Sequence, residues 1–331
     1  MPKQRDLSFD VMKGIGIILV LLGHVWSYYL PHTHQFIYTF HMPMFFIVAG
    51  YFSKGCSDRA SAWQSIRHFF RRLCVPAIIT QAAIVLYSAF NTIVKGTSWD
   101  ATIVEALALF WADIHGPVTP WGKLGYGVIW FLLALFFAKC ILLFLSRAKG
   151  WAIPVAFALA LGSIGLHSVF PYSIWCISIA LTALPFVTIG WWCREHRIPV
   201  WLKVLCLCCW VAAFFCSEMD MYDFKYACYP LDALGACGGT YALYLLCKLL
   251  KNSKIIGCGF AYLGTISLIV MCVHCFEMAA HLGSHVAALF HLKLSVGGLY
   301  VFRYVLTLAI AVAIDLAPKC YHRLMPQKIK S

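Results

Sequence analysis

Ten stretches of this chain each carry about twenty mostly apolar residues, near 12–30, 35–53, 74–94, 124–146, 151–169, 173–193, 200–217, 227–247, 260–281 and 298–317. No other feature constrains the fold as strongly. A helix needs about 20 such residues to cross a hydrocarbon layer about 30 Å thick, and only helices or closed barrels satisfy their backbone polar groups there. The pattern predicts an all-α fold, a polytopic integral membrane helix bundle of about ten transmembrane helices. Pro185 interrupts the sixth stretch, which a packed bundle accommodates. The chain is 62% hydrophobic and 12% charged, whereas a soluble domain carries about 25% charged residues. With no long polar block, residues 1–331 read as a single integral membrane domain.

Cations give the bundle an orientation. Lys3 and Arg5 precede the first stretch, and Lys54, Arg59, Arg67, Arg71 and Arg72 follow the second in a basic loop over 54–73. Arg147 and Lys149 follow the fourth, Arg194 and Arg197 the sixth, and Lys248, Lys251 and Lys254 the eighth. Lys319, Arg323, Lys328 and Lys330 follow the tenth. Every second connection is basic, so both termini are expected to be cytoplasmic in a multi-pass protein of the cell (inner) membrane. The net charge of +13 is thereby an orienting charge, and nucleic acid is not expected as a partner. Lys3 and Arg5 before an apolar run also resemble a signal peptide. However, Asp6, Asp10 and Lys13 follow, and Trp26, Tyr28 and Tyr29 occupy the place of a small-residue cleavage site. The run reads as an uncleaved first span. The 16 cysteines lie mostly within apolar runs and behave as small hydrophobes, with no disulfide framework expected.

The longest connection on the opposite side, residues 95–123, carries Trp99, Trp111, Trp121, Asp100, Asp113 and His115. Part of it, 101–112, suits an amphipathic helix at the interface. Aromatics with acids and a histidine fit a carbohydrate-facing lip, and equally an interfacial aromatic belt.

Ionisable side chains inside spans are expensive and mark function. His24 and His41 each lie about six residues from the outer end of antiparallel, directly connected spans, so they are expected at similar depth. They can serve as a base and its orienting partner, or as two contacts to one substrate. Alternatively each ring donates to a carbonyl of a neighbouring helix. His274, Glu277 and His281 recur at i, i+3 and i+7, hence along one helix face, as a polar seam facing the cavity. A reversed Glu-x-x-His order without a second carboxylate helix argues against a metal. Lys13 stands eleven residues before His24, about 16 Å along a helix, and Asp10 is one turn from Lys13 and can pair with it. Arg67, Arg71 and Arg72 cluster where the chain re-enters the membrane; Arg67 and Arg71 would share a helix face. Such guanidinium groups suit phosphate, and also serve for orientation or lipid contact.

The run Asp10-x-x-Lys13-Gly14-Ile15 … Gly23-His24, followed by FHMPMFF (40–46) and Gly50-Tyr51-Phe52, resembles the membrane acyltransferase family 3, within it the fucose 4-O-acetylase-like branch. Arg72-Leu73-x-Val75-Pro76, Trp130-Phe131-Leu132 and Leu263-Gly264-Thr265-Ile266-Ser267-Leu268 … His274 extend the likeness over essentially the whole chain. The family's hallmark is an arginine or lysine, ten residues, then histidine, which Lys13 and His24 match. Where the family often shows Arg-x-x-Arg, this chain has Arg67-His-Phe-Phe-Arg71-Arg72.

The resemblance implies a membrane O-acetyltransferase moving an acetyl group from cytoplasmic acetyl-CoA to a sugar hydroxyl of a surface polysaccharide or lipid-linked precursor. His24 would be the general base and His41 would orient the acceptor or stabilise the oxyanion, through direct transfer or an acetyl-histidine. Lys13, Arg67, Arg71 and Arg72 would contact CoA; Asp10, Trp121, Trp130, His274 and Glu277 are the expected substrate contacts. A multi-span transporter of a small polar metabolite would use ten spans equally well, although the two halves show no self-similarity. A non-catalytic partner of a polysaccharide assembly would not need two histidines at matched depth.

Overall fold

The structure, a computed structural model, describes residues 6–26, 31–55, 58–113, 116–125 and 127–324. In chain order it contains α1 (Leu7–Trp26), α2 (Pro31–Tyr38), α3 (His41–Tyr51), α4 (Arg59–Phe69), α5 (Val75–Lys95) and α6 (Asp100–Trp111). A small hairpin, β1 (Val118–Thr119) and β2 (Gly122–Lys123), pairs antiparallel. Then come α7 (Trp130–Leu145), α8 (Ala152–Val169), α9 (Ile177–Cys193), α10 (Val200–Cys216), α11 (Tyr229–Leu250), α12 (Ile256–Thr265), α13 (Ser267–Ala280), α14 (Leu282–Leu289) and α15 (Val296–Leu324).

Among the described residues six helical segments are long and apolar enough to cross a membrane, Leu7–His24, Arg59–Lys95, Gly127–Ala148, Ala152–Val169, Tyr229–Leu250 and Val296–Lys319. The pair α12–α13, bent by 70°, makes a seventh, and α9 and α10 are shorter apolar helices. Each of the ten stretches coincides with one of these or with the pair α2–α3. Large apolar side chains such as Leu86, Phe215 and Val301 stay exposed, as helices facing lipid require. The chain is a multi-pass membrane protein.

Three spans depart from simple rods, each for a local reason. The second divides between α2 and α3: the ring of Pro43 would collide with the carbonyl of Thr39 if the helix continued, whereas in the first turn of α3 its missing N–H costs little. The ninth bends at Ile266, where two hydroxyls turn back on the backbone. Thr265 Oγ1 donates to the Tyr262 carbonyl at 2.7 Å and Ser267 Oγ to that of Gly264 at 3.0 Å. Such back-bonding competes with the helix ladder. Between α4 and α5 the helix runs on through a π turn at Phe70–Cys74, a departure that recurs at functional sites.

Glycines set two crossings. A Cβ at Gly14 would overlap the Phe260 carbonyl oxygen, and one at Gly264 that of Asp10, so α1 and α12 touch backbone to backbone. Gly50 and Gly190 do the same for α3 and α9, against Val187 and Ile47. Without a hydrophobic drive in lipid, close approach of this kind is what holds helices together. Ile17, Leu21, Phe46, Leu133 and Phe186 fill the core between these helices.

Candidate active site

α1 runs past two cavities, one near each of its ends. Near its C-terminal end a cavity of about 530 Å³ is lined by Tyr38, His24, His41, Gln81, Glu105, Trp130 and the segment Asp220–Asp223. Near its N-terminal end a larger cavity of about 840 Å³ is lined by Lys13, Lys54, His68, Arg72, Lys139 and Arg194, together with Asp6 and Asp10. The first is called the histidine cavity below, the second the basic cavity.

In the histidine cavity, His24 occupies the last turns of α1, half-buried. His41 opens α3 and is buried; its Nδ1–H donates to the Ile37 carbonyl at 2.8 Å. A carbonyl only accepts, so in the neutral ring Nε2 is left as an acceptor. The helix break that Pro43 imposes is what puts His41 at this N-terminus, facing Tyr38 with ring centroids 4.8 Å apart. His41 lines the cavity with His24, and its Nδ1 is held by the carbonyl of Ile37 in α2. Trp130 lines the same cavity.

His274 lies behind His24 and does not line either cavity. Its ring centroid is 5.3 Å from that of His24. It is 1% exposed, and neither ring nitrogen has a hydrogen-bond partner among the described residues. Glu277 is turned to Arg303, which it holds with both oxygens, Oε1 to Nε at 2.6 Å and Oε2 to the second guanidinium nitrogen at 3.1 Å. The Gly283 N–H also donates to Oε1. His281 leaves the expected seam altogether: α13 ends at Ala280, and His281 adopts a left-handed φ of 47° between α13 and α14. Trp121 sits at the hairpin turn, 46% exposed, and lines neither cavity. His115 lies outside the described residues.

In the basic cavity, Lys13 and Asp10 form the expected ion pair at 2.8 Å. Asp6 pairs with Lys251 at 3.1 Å. Of the arginine cluster, Arg72 lines the cavity, whereas Arg67 and Arg71 are exposed outside its lining. Lys139, from the apolar helix α7, reaches in over the Phe69 ring at 4.3 Å, and Arg194 donates to the Ser53 carbonyl at 3.1 Å.

The two linings differ in charge. The basic cavity has five cations (Lys13, Lys54, Arg72, Lys139, Arg194) against two carboxylates. The histidine cavity has Glu105, Asp220 and Asp223, with no lysine or arginine among its described lining residues. Glu105 accepts from Gln81 Nε2 at 2.7 Å. Asp220 Oδ1 accepts from the Tyr222 N–H at 2.8 Å, yet burial raises its carboxyl above the ordinary value. No three His, Cys, Asp or Glu side chains converge as a metal site among the described residues.

Sequence reading does not single out Tyr38, Gln81, Glu105, Asp220, His68, Lys139 or Arg303, and takes Arg194 only as an orienting cation. Lys139 carried a signal, the lone charge in the apolar α7, and Glu105 a weaker one, the one charge of α6 beyond Asp100 in its first turn. Asp220 carried none.

One helix of this multi-pass bundle thus runs past both a histidine cavity and a basic cavity. The chain belongs to acyltransferase family 3: the family's acyltransferase domain matches residues 6–316. It is similar to the nodulation protein NolL of Mesorhizobium japonicum (strain LMG 29417 / CECT 9101 / MAFF 303099), 30% identical over 227 residues, covering 64% of this chain and 56% of the relative. It is also similar to NolL of Sinorhizobium fredii (strain NBRC 101917 / NGR234), 30% identical over 123 residues, 33% of this chain and 34% of that protein. The matched part is thus about half, or less, of each relative's own length. No solved structure matches.

Proposed function

We propose that this protein transfers an acetyl group from acetyl-CoA to a hydroxyl of a sugar in a surface polysaccharide or lipid-linked precursor. The observation that carries the reading is the pair of oppositely charged cavities at the two ends of α1, with Lys13 in one and His24 in the other. The basic lining suits the phosphates of CoA, since charge-assisted hydrogen bonds are the strong ones. The histidine cavity, with Trp130, Tyr38, Gln81 and carboxylates, suits a sugar's apolar faces and hydroxyls. In this reading the whole chain acts as one domain, its basic connections toward the cytoplasm.

His24 takes the proton of the acceptor hydroxyl as its oxygen attacks the acetyl carbon. The new C–O bond forms, the C–S bond breaks, and the proton passes to the leaving thiolate. His41, its Nδ1–H committed to Ile37, offers Nε2 to a second hydroxyl and so orients the acceptor. His274 packs behind His24 and fixes the plane of its ring.

The test is mass spectrometry of surface glycans from cells carrying the wild type, His24→Ala or neither. A general base contributes about 10²- to 10⁴-fold, so His24→Ala should abolish the acetyl ester while protein levels hold. Undiminished acetylation by a folded His24→Ala protein would remove His24 from the chemistry.

A further inference from the structure

The two cavities are separated by no more than a helical turn, and one side chain belongs to both. On α1 the lining passes from Ile17 in the basic cavity to Val20 in the histidine cavity. On α3 it passes from Phe45 to Met42, again three residues; at the start of α7 Phe131 in the basic cavity directly follows Trp130 in the histidine cavity, and on α13 the two linings meet at Met271. Three residues of helix rise about 4.5 Å, so the partition is one layer of apolar side chains. Among the described residues Met271 alone lines both cavities. It is 4% exposed and belongs to the same buried apolar cluster as Ile17 and Val20.

We propose that Met271 is the gate of this partition: it sets the length of acyl group handed from the basic to the histidine cavity, and it keeps water off the thioester. The inference rests on the acyl-transfer reading above. Met271 stands on α13 between the bend at Ile266 and the Glu277–Arg303 pair. A methionine side chain is unbranched, with three rotatable bonds, so it swings aside without moving the helix. A two-carbon acyl group passes by displacing only the thioether end. A longer chain needs the volume that this end occupies. When the gate is closed, the polar histidine cavity and its water are separated from the donor by one apolar layer.

Shortening the side chain opens a leak whose chemistry is simple. A water oxygen attacks the thioester carbon, the C–S bond breaks, and acetate and the CoA thiol leave; one of the water's protons ends on the thiol and the other is released to solvent.

The experiment uses the full chain in detergent with acetyl-CoA and butyryl-CoA, following thiol release without sugar, CoA binding by calorimetry, and glycan acetylation in cells. Met271→Ala should raise acetyl-CoA hydrolysis about tenfold and shift the butyryl-to-acetyl ratio upward by at least tenfold, since one methylene in an apolar pocket is worth about tenfold or more. Met271→Val, a smaller excision, should shift both in the same direction and serves if the alanine variant does not fold. Met271→Trp should abolish glycan acetylation with CoA affinity within about twofold of wild type. Folded Ala or Val variants with unchanged hydrolysis and acyl preference, or a folded Trp variant that still acetylates, would overturn the gate. Absence of CoA binding and of glycan acetylation in the wild type would instead overturn the acyl-transfer reading itself.

Discussion

Glu277 separates a structural from a substrate-binding role most cleanly. The sequence expectation makes it a substrate contact, whereas the structure commits both carboxylate oxygens to Arg303 at 2.6 and 3.1 Å. The side chains are 1% and 12% exposed, so the pair is largely desolvated. Two unit charges about 4 Å apart interact by about 4 kcal/mol at an effective dielectric of 20. Glu277→Gln keeps the shape and an acceptor for the Gly283 N–H but leaves the guanidinium without its counter-charge. Removing one partner of a buried pair costs about 3–5 kcal/mol, whereas replacing both by apolar residues of similar size is close to neutral. Expected, then, is a loss of about 3 kcal/mol for Glu277→Gln and a loss under about 1 kcal/mol for Glu277→Met with Arg303→Met. Reversible unfolding in mixed micelles, followed by tryptophan fluorescence, reads both values. Additive losses in the double variant would refute the pairing argument. Acyl transfer then decides the role: a double variant that is folded and active leaves Glu277 structural, whereas one that is folded and inactive restores it as a substrate contact.

Two further outcomes follow from the packing and the basic cavity. Gly264→Ala forces a Cβ into the Asp10 carbonyl, whereas a Cβ at Gly259, on the same helix, meets nothing within 4 Å. Thermal unfolding should show Gly264→Ala destabilised by about 1–3 kcal/mol and Gly259→Ala neutral or stabilised by up to about 1 kcal/mol; equal behaviour would contradict the backbone contact of α1 and α12. Calorimetry with CoA should show Arg72→Glu losing at least about tenfold in affinity, in line with about 1.5–3 kcal/mol for a charged hydrogen bond, while Arg67→Glu stays near wild type. Equal losses at the two positions would mean that both arginines reach the phosphates.

The helices were legible because the bilayer imposes one length on every span, and a count of apolar residues reads that length directly. Their breaks were not. Pro43 is visible in the sequence, but an apolar window runs straight across it; only the collision with the Thr39 carbonyl divides α2 from α3 and makes His41 an N-terminal residue. At Ile266 the bend depends on which way two hydroxyls turn, a choice local sequence leaves open. The spacing of Lys13 and His24 survives because both stand on one unbroken helix, where eleven residues have a fixed length. His274 and Glu277 share their helix face as expected, but that face meets His24 and Arg303 because the 70° bend re-aims α13. A helical wheel drawn for one element carries no information about that angle.

The arginines of the second connection show why one residue type can be legible as a class and illegible one by one. An orienting cation needs only to stand near the membrane boundary, and its long side chain finds water from almost any helix face. A cation that holds a ligand must be presented by a particular face, and that face is set by the backbone's winding. Arg67 and Arg71 share a face only while the helix keeps 3.6 residues per turn. His68 and Arg72, also four apart, stand one residue further round. Arg72 and His68 then line the cavity, and Arg67 and Arg71 are left outside it. Lys139 makes the complementary point from α7. It has no orienting partner cations beside it in its own helix, and its ammonium lies over the Phe69 ring in the cavity wall. A charge placed that deep, where orientation does not require one, is the stronger functional signal of the two.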